Sequence, residues 1–398
     1  MLSTFFYLDQ SIFEKEQRQI FSSLWVFFGL VQEFGAEDET GQGAYVRKKI
    51  SNQDIFIRKF NDQYTGFINR CPHRFHPIVQ NDFGKTLLVC PYHFWAFEND
   101  GKLKGIPYEK ECYQFSTQKK KSIALNGVAL KKMGSLLFIN LSPHPIDFEK
   151  QFSGPYLDQV KKLSTHFTQY RKITLTRCFN WKLIQENLRD GLHAAFLHKN
   201  TLLNGIKFGP PAIPKDVPLP LLRLKDASFG GPDVVLTHKF DQKQFFTNPW
   251  LCEERYYNFH LFPVLHIAAA DGGYSFVLEN YLPVNPAQTQ IEIYFVLSSN
   301  SLDSEQENVL FDQLIANALA VYEEDFAALE AIQGSISQVN DAHCVFPING
   351  VYERLITRFH KVYFRILGYS FFLKRYLVDL GALPKFTMSY IKQNKNRK

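Results

Sequence analysis

The chain has few cysteines and no long apolar run. Six cysteines among 398 residues are too few for a disulfide framework, so each is first considered a thiol or a metal ligand. Since no run of about 18 apolar residues occurs, we expect no transmembrane helix. The N-terminal residues lack a basic stretch followed by an apolar one, so we expect no signal peptide and a cytoplasmic location.

The sequence also lacks the signatures of several other sites. It contains no glycine fingerprint for a dinucleotide and no second cysteine cluster of the ferredoxin type. The net charge of +6 comes from one end, because residues 353–398 carry eleven Lys and Arg against only Glu353 and Asp379. This localised charge argues against general nucleic-acid binding and predicts a basic C-terminal tail.

Aromatic residues, in contrast, are abundant, with 38 Phe, 19 Tyr and 4 Trp. The chain is 45% hydrophobic and 21% charged, which is enough to bury a sizeable core, and its length predicts two or three domains. Short β-like runs fill residues 40–142 and include a hairpin turn at Asn99–Lys102. Helical periodicity over residues 9–24 precedes this β unit, and mixed strands and helices follow it.

Two pairs of potential metal ligands lie inside the β unit. Cys71 and His73 form a Cys-x-His pair, and Cys90 and His93 form a Cys-x2-His pair further along the chain. A single zinc would take all four side chains in a tetrahedron, whereas a [2Fe-2S] cluster would take both thiolates on one iron and both imidazoles on the other. Zinc motifs commonly pair like residues, so the mixed pairs favour a cluster held between two loops.

Residues 71–95, CPHRFHP…CPYHFWAF, resemble the Rieske [2Fe-2S] motif. The following segment, ENDGKLKGIP, resembles the hairpin found after that motif in Rieske oxygenases, and the resemblance implies a [2Fe-2S] cluster as cofactor. The family often has glycine after His-Arg and after the second histidine, where this chain has Phe75 and Phe94. These departures keep the ligands but affect the cluster's solvent exposure and hence its reduction potential. Structural zinc, or loops that bind no metal, are the alternatives.

A second group of candidate ligands follows Asn180, the predicted N-cap of a helix that runs through His198. His193 and His198 are five residues apart, about 140° around an ideal helix, so a shared metal requires a distortion or a helix end between them. Asp190, three residues before His193, can share a face with that imidazole. Non-haem Fe(II) oxygenases bind iron through two histidines and one carboxylate and leave positions open for O2.

The spacing of Asp and His within residues 190–198 resembles the catalytic motif of Rieske oxygenase α subunits. The resemblance implies a third iron ligand far downstream, in an acidic helix before a Glu and a Gln, and the matching position is Asp325. Its neighbours are Glu323 and Glu324, and the alternative for carboxylates in such a helix is an ordinary solvated face.

The family's counterpart of Asp190 is not a metal ligand. The resemblance implies that Asp190 bridges His193 to His93 of the next subunit, because the two centres of one chain lie too far apart for fast electron transfer. The alternative is a local hydrogen bond between Asp190 and His193. The family usually has Tyr before the first histidine, whereas this chain has Leu192.

The implied fold class is α+β, with an all-β Rieske [2Fe-2S] domain and a helix-grip catalytic domain with a curved antiparallel sheet. We expect residues 1–39 to be a helical segment that packs on the catalytic domain, and residues 40–142 to be the Rieske domain. Residues 143–398 are then the catalytic mononuclear iron domain with its basic tail.

The implied function is that of a terminal oxygenase, which takes electrons through the Rieske cluster to mononuclear Fe(II) and activates O2. The reaction would be hydroxylation, dihydroxylation or oxidative demethylation of a small molecule. A Rieske electron carrier or redox sensor without oxygen chemistry is the main alternative, but it would not need His193, His198 and Asp325 together.

The partners and substrate follow less directly. Electrons would come from NADH or NADPH through a separate reductase, with or without a ferredoxin, and the family implies a homotrimer, with or without a β subunit. Aromatic strands over 255–282 and a lid over 204–233 favour an apolar substrate, with a ring as one candidate. The basic tail is either solvated surface or a docking site for an acidic redox partner or an anionic membrane. The remaining histidines, His260 and His266 among them, are predicted to be mostly structural.

Overall fold

The computed structural model describes most of the chain. The described residues are 2–35, 42–152, 155–190, 192–199, 201, 233–234, 257–269, 275–298, 304–339 and 353–369. The predicted lid lies almost entirely outside these ranges, as do the tail residues beyond 369. No helix within the described ranges is both long and apolar enough to cross a membrane.

The first half of the chain folds mainly as antiparallel strands. Its elements in chain order are α1 Phe5–Leu8, α2 Gln10–Glu16, β1 Val26–Leu30, β2 Gly43–Ile50, β3 Gln53–Phe60, β4 Gln63–Ile68, β5 Phe83–Thr86, β6 Ala96–Phe97, β7 Leu103–Gly105, α3 Glu109–Cys112, α4 Thr117–Lys121, β8 Gly127–Met133 and β9 Leu136–Asn140. Seven of the strands form one sheet in the order β1-β9-β8-β4-β3-β2-β5. This is the β unit that the sequence predicts.

Strand β3 shows how this sheet serves two cores. Ile55 and Ile57 point to one face and join a core shared with the second half of the chain. Phe56 points to the other face, where it packs with Phe67 and Trp95. Because side chains alternate along a strand, an uninterrupted apolar run supplies buried residues to both faces.

The predicted hairpin at Asn99–Lys102 is confirmed, since β6 and β7 pair antiparallel on either side of it. Gly101 takes a φ of +84°, and a Cβ at this position would lie 2.6 Å from the ring of Phe67. The turn therefore needs glycine both for its backbone conformation and for space.

The N-terminal segment is helical only in part. Helix α2 begins after Asp9, whose carboxylate caps it, and continues as one π-helical turn, Gln17–Phe21. Residues Val26–Leu30 are instead a strand that pairs with β9 and extends the first sheet. The expectation of a wholly helical segment is therefore wrong for the last third of the segment. The apolar run after Leu24 forms its backbone hydrogen bonds with β9 at the edge of the sheet instead of within a helix.

The second half of the chain is a six-stranded antiparallel sheet with helices. The elements in chain order are α5 Phe148–Gln151, α6 Pro155–Ser164, β10 Tyr170–Arg177, α7 Trp181–Asn187, α8 Ala194–Leu197, β11 Asp233–Val234, β12 Tyr257–Leu261, β13 Leu265–Ala269, β14 Ser275–Asn285, β15 Gln288–Leu297, α9 Ser304–Ser337 and α10 Arg354–Ile366. The strand order is β10-β15-β14-β13-β12-β11.

The long helix α9 packs on one face of this second sheet. Phe326 of α9 shares a buried core with Ile291 and Ile293 of β15, whereas Tyr294 and Val296 of the same strand point into a separate core on the opposite face. The antiparallel sheet with a long helix on one face is the helix-grip arrangement predicted for this domain.

A buried group of charges joins the two sheets. Lys48 of β2 lies 3.1 Å from Glu292 of β15 and 3.3 Å from Glu33, and Lys172 of β10 contacts both carboxylates. Burial alone would raise the pKa of Glu292, but the charges of Lys48 and Lys172 lower it to about 2. Glu292 is therefore ionised, and its charge is balanced across the boundary between the sheets.

Candidate metal centres

Two loops with the same hydrogen-bond pattern carry the cysteine and histidine pairs. In the first, the amide of Cys71 donates to His76 O, and the amide of Phe75 donates to Cys71 O, each at 2.9 Å. In the second, Cys90 and Phe94 repeat both bonds at 2.9 Å, with Trp95 O as the acceptor for Cys90. In the repeated pattern the two cysteines hold equivalent positions, whereas His73 and His93 differ by one, as the second and the third residue after their cysteines.

The two phenylalanines that stand where the family often has glycine have left-handed backbones. Phe75 has a φ of +59° and Phe94 a φ of +57°. Both rings are exposed, at 68% and 63% of their surface. The backbone conformation of these turns is therefore kept without glycine, at a cost in strain.

The four side chains fit a metal cluster. Cys71 and Cys90 are buried, and burial, with the nearby Cys90 thiol, raises the pKa of Cys71 to about 11. Nδ1 of His73 is buried and has no hydrogen-bond partner in the described part of the chain, and the ring centroids of His73 and His93 lie 4.6 Å apart. Two buried cysteines side by side and an imidazole nitrogen without a described partner are groups that a metal would satisfy by binding, with loss of the thiol protons.

The spread of these four ligands bears on the choice between zinc and a cluster. A single tetrahedral zinc needs all its ligand atoms within about 4 Å of one another. Across the described part of the chain, His193, His198 and Asp325 are the only group of three or more such residues whose ligand atoms lie within 4.8 Å of one another. The pairs around Cys71 and Cys90 are more widely spread, which fits a group that spans two irons.

His193, His198 and Asp325 meet at the end of a broken helix. Helix α7 begins after Asn180, whose side chain accepts from Lys182 N and so caps it as predicted, but α7 ends at Asn187 and α8 covers only Ala194–Leu197. A single helix through His198 is thus wrong, and the break is the helix end that a shared metal requires. Nε2 of His193 lies 3.5 Å, and Nε2 of His198 3.1 Å, from Oδ1 of Asp325.

Two further side chains orient these candidate ligands. Oε2 of Glu324 lies 2.8 Å from Nδ1 of His198 and also accepts from Thr201, and Nδ2 of Asn187 donates to Oδ1 of Asp325 at 2.9 Å. Burial lowers the pKa of His198, but the hydrogen bonds and charges of Asp325 and Glu324 raise it overall.

Sequence reasoning missed the role of Glu324, for which a solvated helix face was the alternative. The signal was present, because a second carboxylate next to a predicted ligand is a common partner for the other nitrogen of a ligating histidine.

Asp190 lies beside His193 on the partly exposed side of this group. Its Oδ2 is 3.7 Å from Nδ1 of His193, its Oδ1 accepts from the amide of Leu192 at 2.8 Å, and its side chain is 23% exposed. Burial alone would raise the pKa of Asp190, but the neighbouring His193 and the amide of Leu192 lower it overall. Asp190 therefore keeps its charge while partly exposed, so it remains accessible to a group from outside the chain.

Two family models match the chain, one over each of the two candidate metal centres. The model described as ring hydroxylating alpha subunit (catalytic domain) matches residues 164–368, and the model described as Rieske [2Fe-2S] domain matches residues 31–121. The second match contains both cysteine–histidine pairs, and the first contains His193, His198 and Asp325.

The relatives by sequence are oxygenase subunits. The carnitine monooxygenase oxygenase subunit of Escherichia coli (strain K12) is 28% identical over 204 residues, which are 48% of this chain and 50% of that protein. The glycine betaine monooxygenase oxygenase subunit of Pseudomonas aeruginosa (strain UCBPP-PA14) is 29% identical over 50% of this chain and 44% of that protein. The large oxygenase component of a naphthalene 1,2-dioxygenase system from Ralstonia sp is 28% identical over 50% of this chain and 44% of that protein. These matches span about half the length of the relatives.

Solved structures show the same fold over nearly the whole chain. The apo form of a quaternary ammonium Rieske monooxygenase superposes with a TM-score of 0.67 at 18% identity and covers 93% of this chain and 95% of that one. Naphthalene 1,2-dioxygenase from Rhodococcus sp. bound to indole gives 0.67 at 17% identity, over 92% and 94%. The predicted α+β fold, with a Rieske domain and a helix-grip domain, is confirmed.

Proposed function

Since this chain belongs to the ring-hydroxylating α-subunit family, with a Rieske [2Fe-2S] domain ahead of its catalytic domain, we propose that it is the terminal oxygenase of a multicomponent system. The observation that carries this proposal is the convergence of His193, His198 and Asp325. Glu324 and Asn187 form hydrogen bonds with two of these side chains. Two imidazoles and one carboxylate on one side of a shared point are the ligand set of non-haem Fe(II) oxygenases.

In this proposal the two metal groups use separate ligands. Cys71, His73, Cys90 and His93 hold the [2Fe-2S] cluster, and the triad of His193, His198 and Asp325 holds Fe(II). When bound, the iron supplies the activation of O2 for hydroxylation, dihydroxylation or oxidative demethylation.

The protein's own part at the iron site is to fix orientation. Glu324 holds Nδ1 of His198, so that Nε2 of that histidine faces Asp325. Asn187 holds one oxygen of Asp325 by a hydrogen bond. Such partners restrict the rotation of the ligands and keep the open side of the site free for substrate.

We also propose that Asp190 connects the site to the cluster of a second copy. Its charged carboxylate contacts His193 and is partly exposed, which suits a bridge to His93 of the next subunit. The proposed assembly is a homotrimer, with or without a β subunit. Electrons would come from NADH or NADPH through a separate reductase, with or without a ferredoxin.

The proposed domains follow the predicted boundaries, with residues 1–39 as an N-terminal segment, 40–142 as the Rieske domain and 143–398 as the catalytic domain. The structure adds that the N-terminal segment contributes to both. Its Glu16 pairs with buried Lys182 of α7 at 2.7 Å, while its strand β1 extends the first sheet.

The substrate is proposed to be a small molecule that presents an apolar carbon to the iron. The named relatives act on carnitine, glycine betaine and naphthalene, so they cover both charged and aromatic compounds. An apolar aromatic substrate stays a prediction.

Iron analysis together with O2 uptake tests the proposal. Purified protein should be brown, show a Rieske-type EPR signal, and contain one iron per chain beyond those of the cluster. With a surrogate reductase, it should couple O2 uptake to oxidation of a compound in a panel that includes carnitine, glycine betaine and naphthalene. Protein that holds the cluster iron alone would instead be the electron carrier, and protein that holds zinc would exclude both functions.

A further inference from the structure

A buried histidine without a hydrogen-bond partner lies on the face of the second sheet that is turned toward α9. His260 of β12 is only 2% exposed, and neither of its ring nitrogens has a hydrogen-bond partner among the described residues. Buried polar groups are nearly always satisfied in native proteins, and each exception requires an explanation. For an imidazole, two unsatisfied nitrogens are costly unless a ligand or water completes their hydrogen bonds.

The polar side chains next to His260 form hydrogen bonds with one another. His266, directly opposite on β13, stacks on His260 with ring centroids 4.7 Å apart. Its Nδ1 lies 2.8 Å from Glu279, and its Nε2 lies 2.6 Å from Asn258. Glu279 also accepts from the hydroxyls of two tyrosines, Tyr281 and Tyr322. His260 is therefore the member of this group that remains unsatisfied.

This group lies on the same side of the sheet as the iron site. Phe259 and Leu261, which flank His260 on β12, point into the core on the opposite face. Tyr322 reaches Glu279 from α9, and it precedes Asp325 by three residues, so both side chains lie on one face of that helix. The charge of Asp325 also contributes to raising the pKa of Tyr281. The free nitrogens of His260 thus lie between the sheet and the helix that carries Asp325.

The charges around His260 favour an acceptor oxygen. Burial, together with the positive charge of Arg189 and the neighbouring His266 ring, holds the pKa of His260 well below its ordinary value, so the ring is neutral and has one N–H to donate. The carboxylate of Glu279, the anion of the group, already accepts from His266 and both tyrosines. An acceptor oxygen with negative charge would therefore find the N–H of His260 and the nearby positive charge of Arg189 here.

We propose that His260 binds the substrate, by donating a hydrogen bond to a carboxylate at the end of the molecule remote from the reacting carbon. This inference rests on the proposed function and adds a specificity-determining residue to it. It departs from the expectation that His260 is mostly structural. No sequence pattern indicates this role, because a histidine in an apolar strand resembles any core histidine until its missing hydrogen-bond partner is seen.

Binding under conditions without turnover tests the inference. With the cluster oxidised and no reductase present, the dissociation constant of the wild-type protein is measured by calorimetry for glycine betaine, carnitine and benzoate. Tetramethylammonium and indole serve as probes without a carboxylate. At least one carboxylate should bind more tightly than either of these, and His260→Phe should weaken its binding about tenfold or more. His260→Gln, which restores a donor, should recover most of the affinity.

A matched control lies one residue away. Phe259→Leu alters the same strand on the opposite face, and it should lower the melting temperature without changing the dissociation constant. Equal binding by wild type and His260→Phe would show that His260 is a packing group, and so would failure of the wild type to bind any carboxylate. The proposed function is judged separately, since O2 uptake coupled to oxidation of a neutral compound would uphold the oxygenase and overturn only the inference on His260.

Discussion

The region around Cys71 and Cys90 differs from the region around His193 in the conformation of its backbone. Every described non-glycine residue with a positive φ lies between residues 51 and 114, and none lies in the described part of the catalytic domain. The first site is made of strained turns with fixed backbone hydrogen bonds, whereas the second is made of side chains from helix ends. Geometry is therefore set locally at the first site and by tertiary packing at the second.

This difference decides what the sequence could predict. The pairs around Cys71 and Cys90 are near in sequence, so their spacing alone indicated a metal cluster. His193 and His198 could be paired with Asp325 only through the family resemblance, because the fold brings α9 to α8. Glu324 and His260 depend on contacts between distant segments, and no spacing in the sequence identifies the partner of either. For Glu324, the position next to a predicted ligand was the one available signal. Strand β1 was missed for the same reason, since its partner β9 is more than a hundred residues away.

The largest effect is expected at the iron ligands. His193→Ala and His198→Ala should each abolish turnover and release the mononuclear iron but leave the visible absorbance of the cluster unchanged, because the two sites share no ligand. Iron analysis and the absorbance spectrum measure this. Cys71→Ser is the converse control, since it should bleach the cluster. Loss of the cluster in either histidine variant, with the mononuclear iron retained, would contradict the assignment.

The next effect is expected at the proposed connection between the two regions. Asp190→Asn should retain both metal groups but slow electron delivery from the cluster to the iron drastically, because the charged bridge between two imidazoles is lost. Stopped-flow spectroscopy of the pre-reduced protein, mixed with O2 and substrate, follows re-oxidation of the cluster. An unchanged rate would mean that Asp190 makes only a local hydrogen bond with His193.

A smaller effect is expected at Glu324, which forms a hydrogen bond with the proposed iron ligand His198. Glu324→Gln should weaken binding of Fe(II) by about 10–100-fold, since the hydrogen bond that orients His198 is weakened. Competition with a chelator measures the affinity. Glu323→Gln is the matched control, because this neighbour contacts Arg177 at the surface and no candidate ligand. Similar losses in both variants would show that the effect belongs to the helix and not to Glu324.

The ion group between the two sheets tests whether the two regions unfold together. The pKa of Glu292 is about 2 in the folded protein, below its ordinary value of 4.5, so the unfolded chain binds more protons between these values. The contribution of Glu292 to the free energy of unfolding should therefore be fully present above pH 4.5. It should be lost as the pH drops toward 2, which lowers the free energy of unfolding by on the order of 3 kcal/mol.

Glu292→Gln should remove that part of the acid dependence, which denaturant melts between pH 2 and 5 would measure. Glu149→Gln is the control, because Glu149 pairs with Lys131 while 61% exposed and should leave the acid limb nearly as in the wild type. An identical acid limb in wild type and Glu292→Gln would mean that the charge group does not join the sheets energetically.

The smallest effect is expected in the strained turns of the first region. Phe94→Gly should stabilise the protein by about 1 kcal/mol, because a left-handed backbone is strained for phenylalanine and costs glycine little. Phe75→Gly should stabilise it less, since the guanidinium of Arg70 lies 5.1 Å from the centroid of that ring and this contact would be lost. Melting curves of the loaded protein measure both, with the cluster's absorbance as a check that the turns are intact. Destabilisation by Phe94→Gly would show that its exposed ring contributes more to the turn than its backbone strain removes.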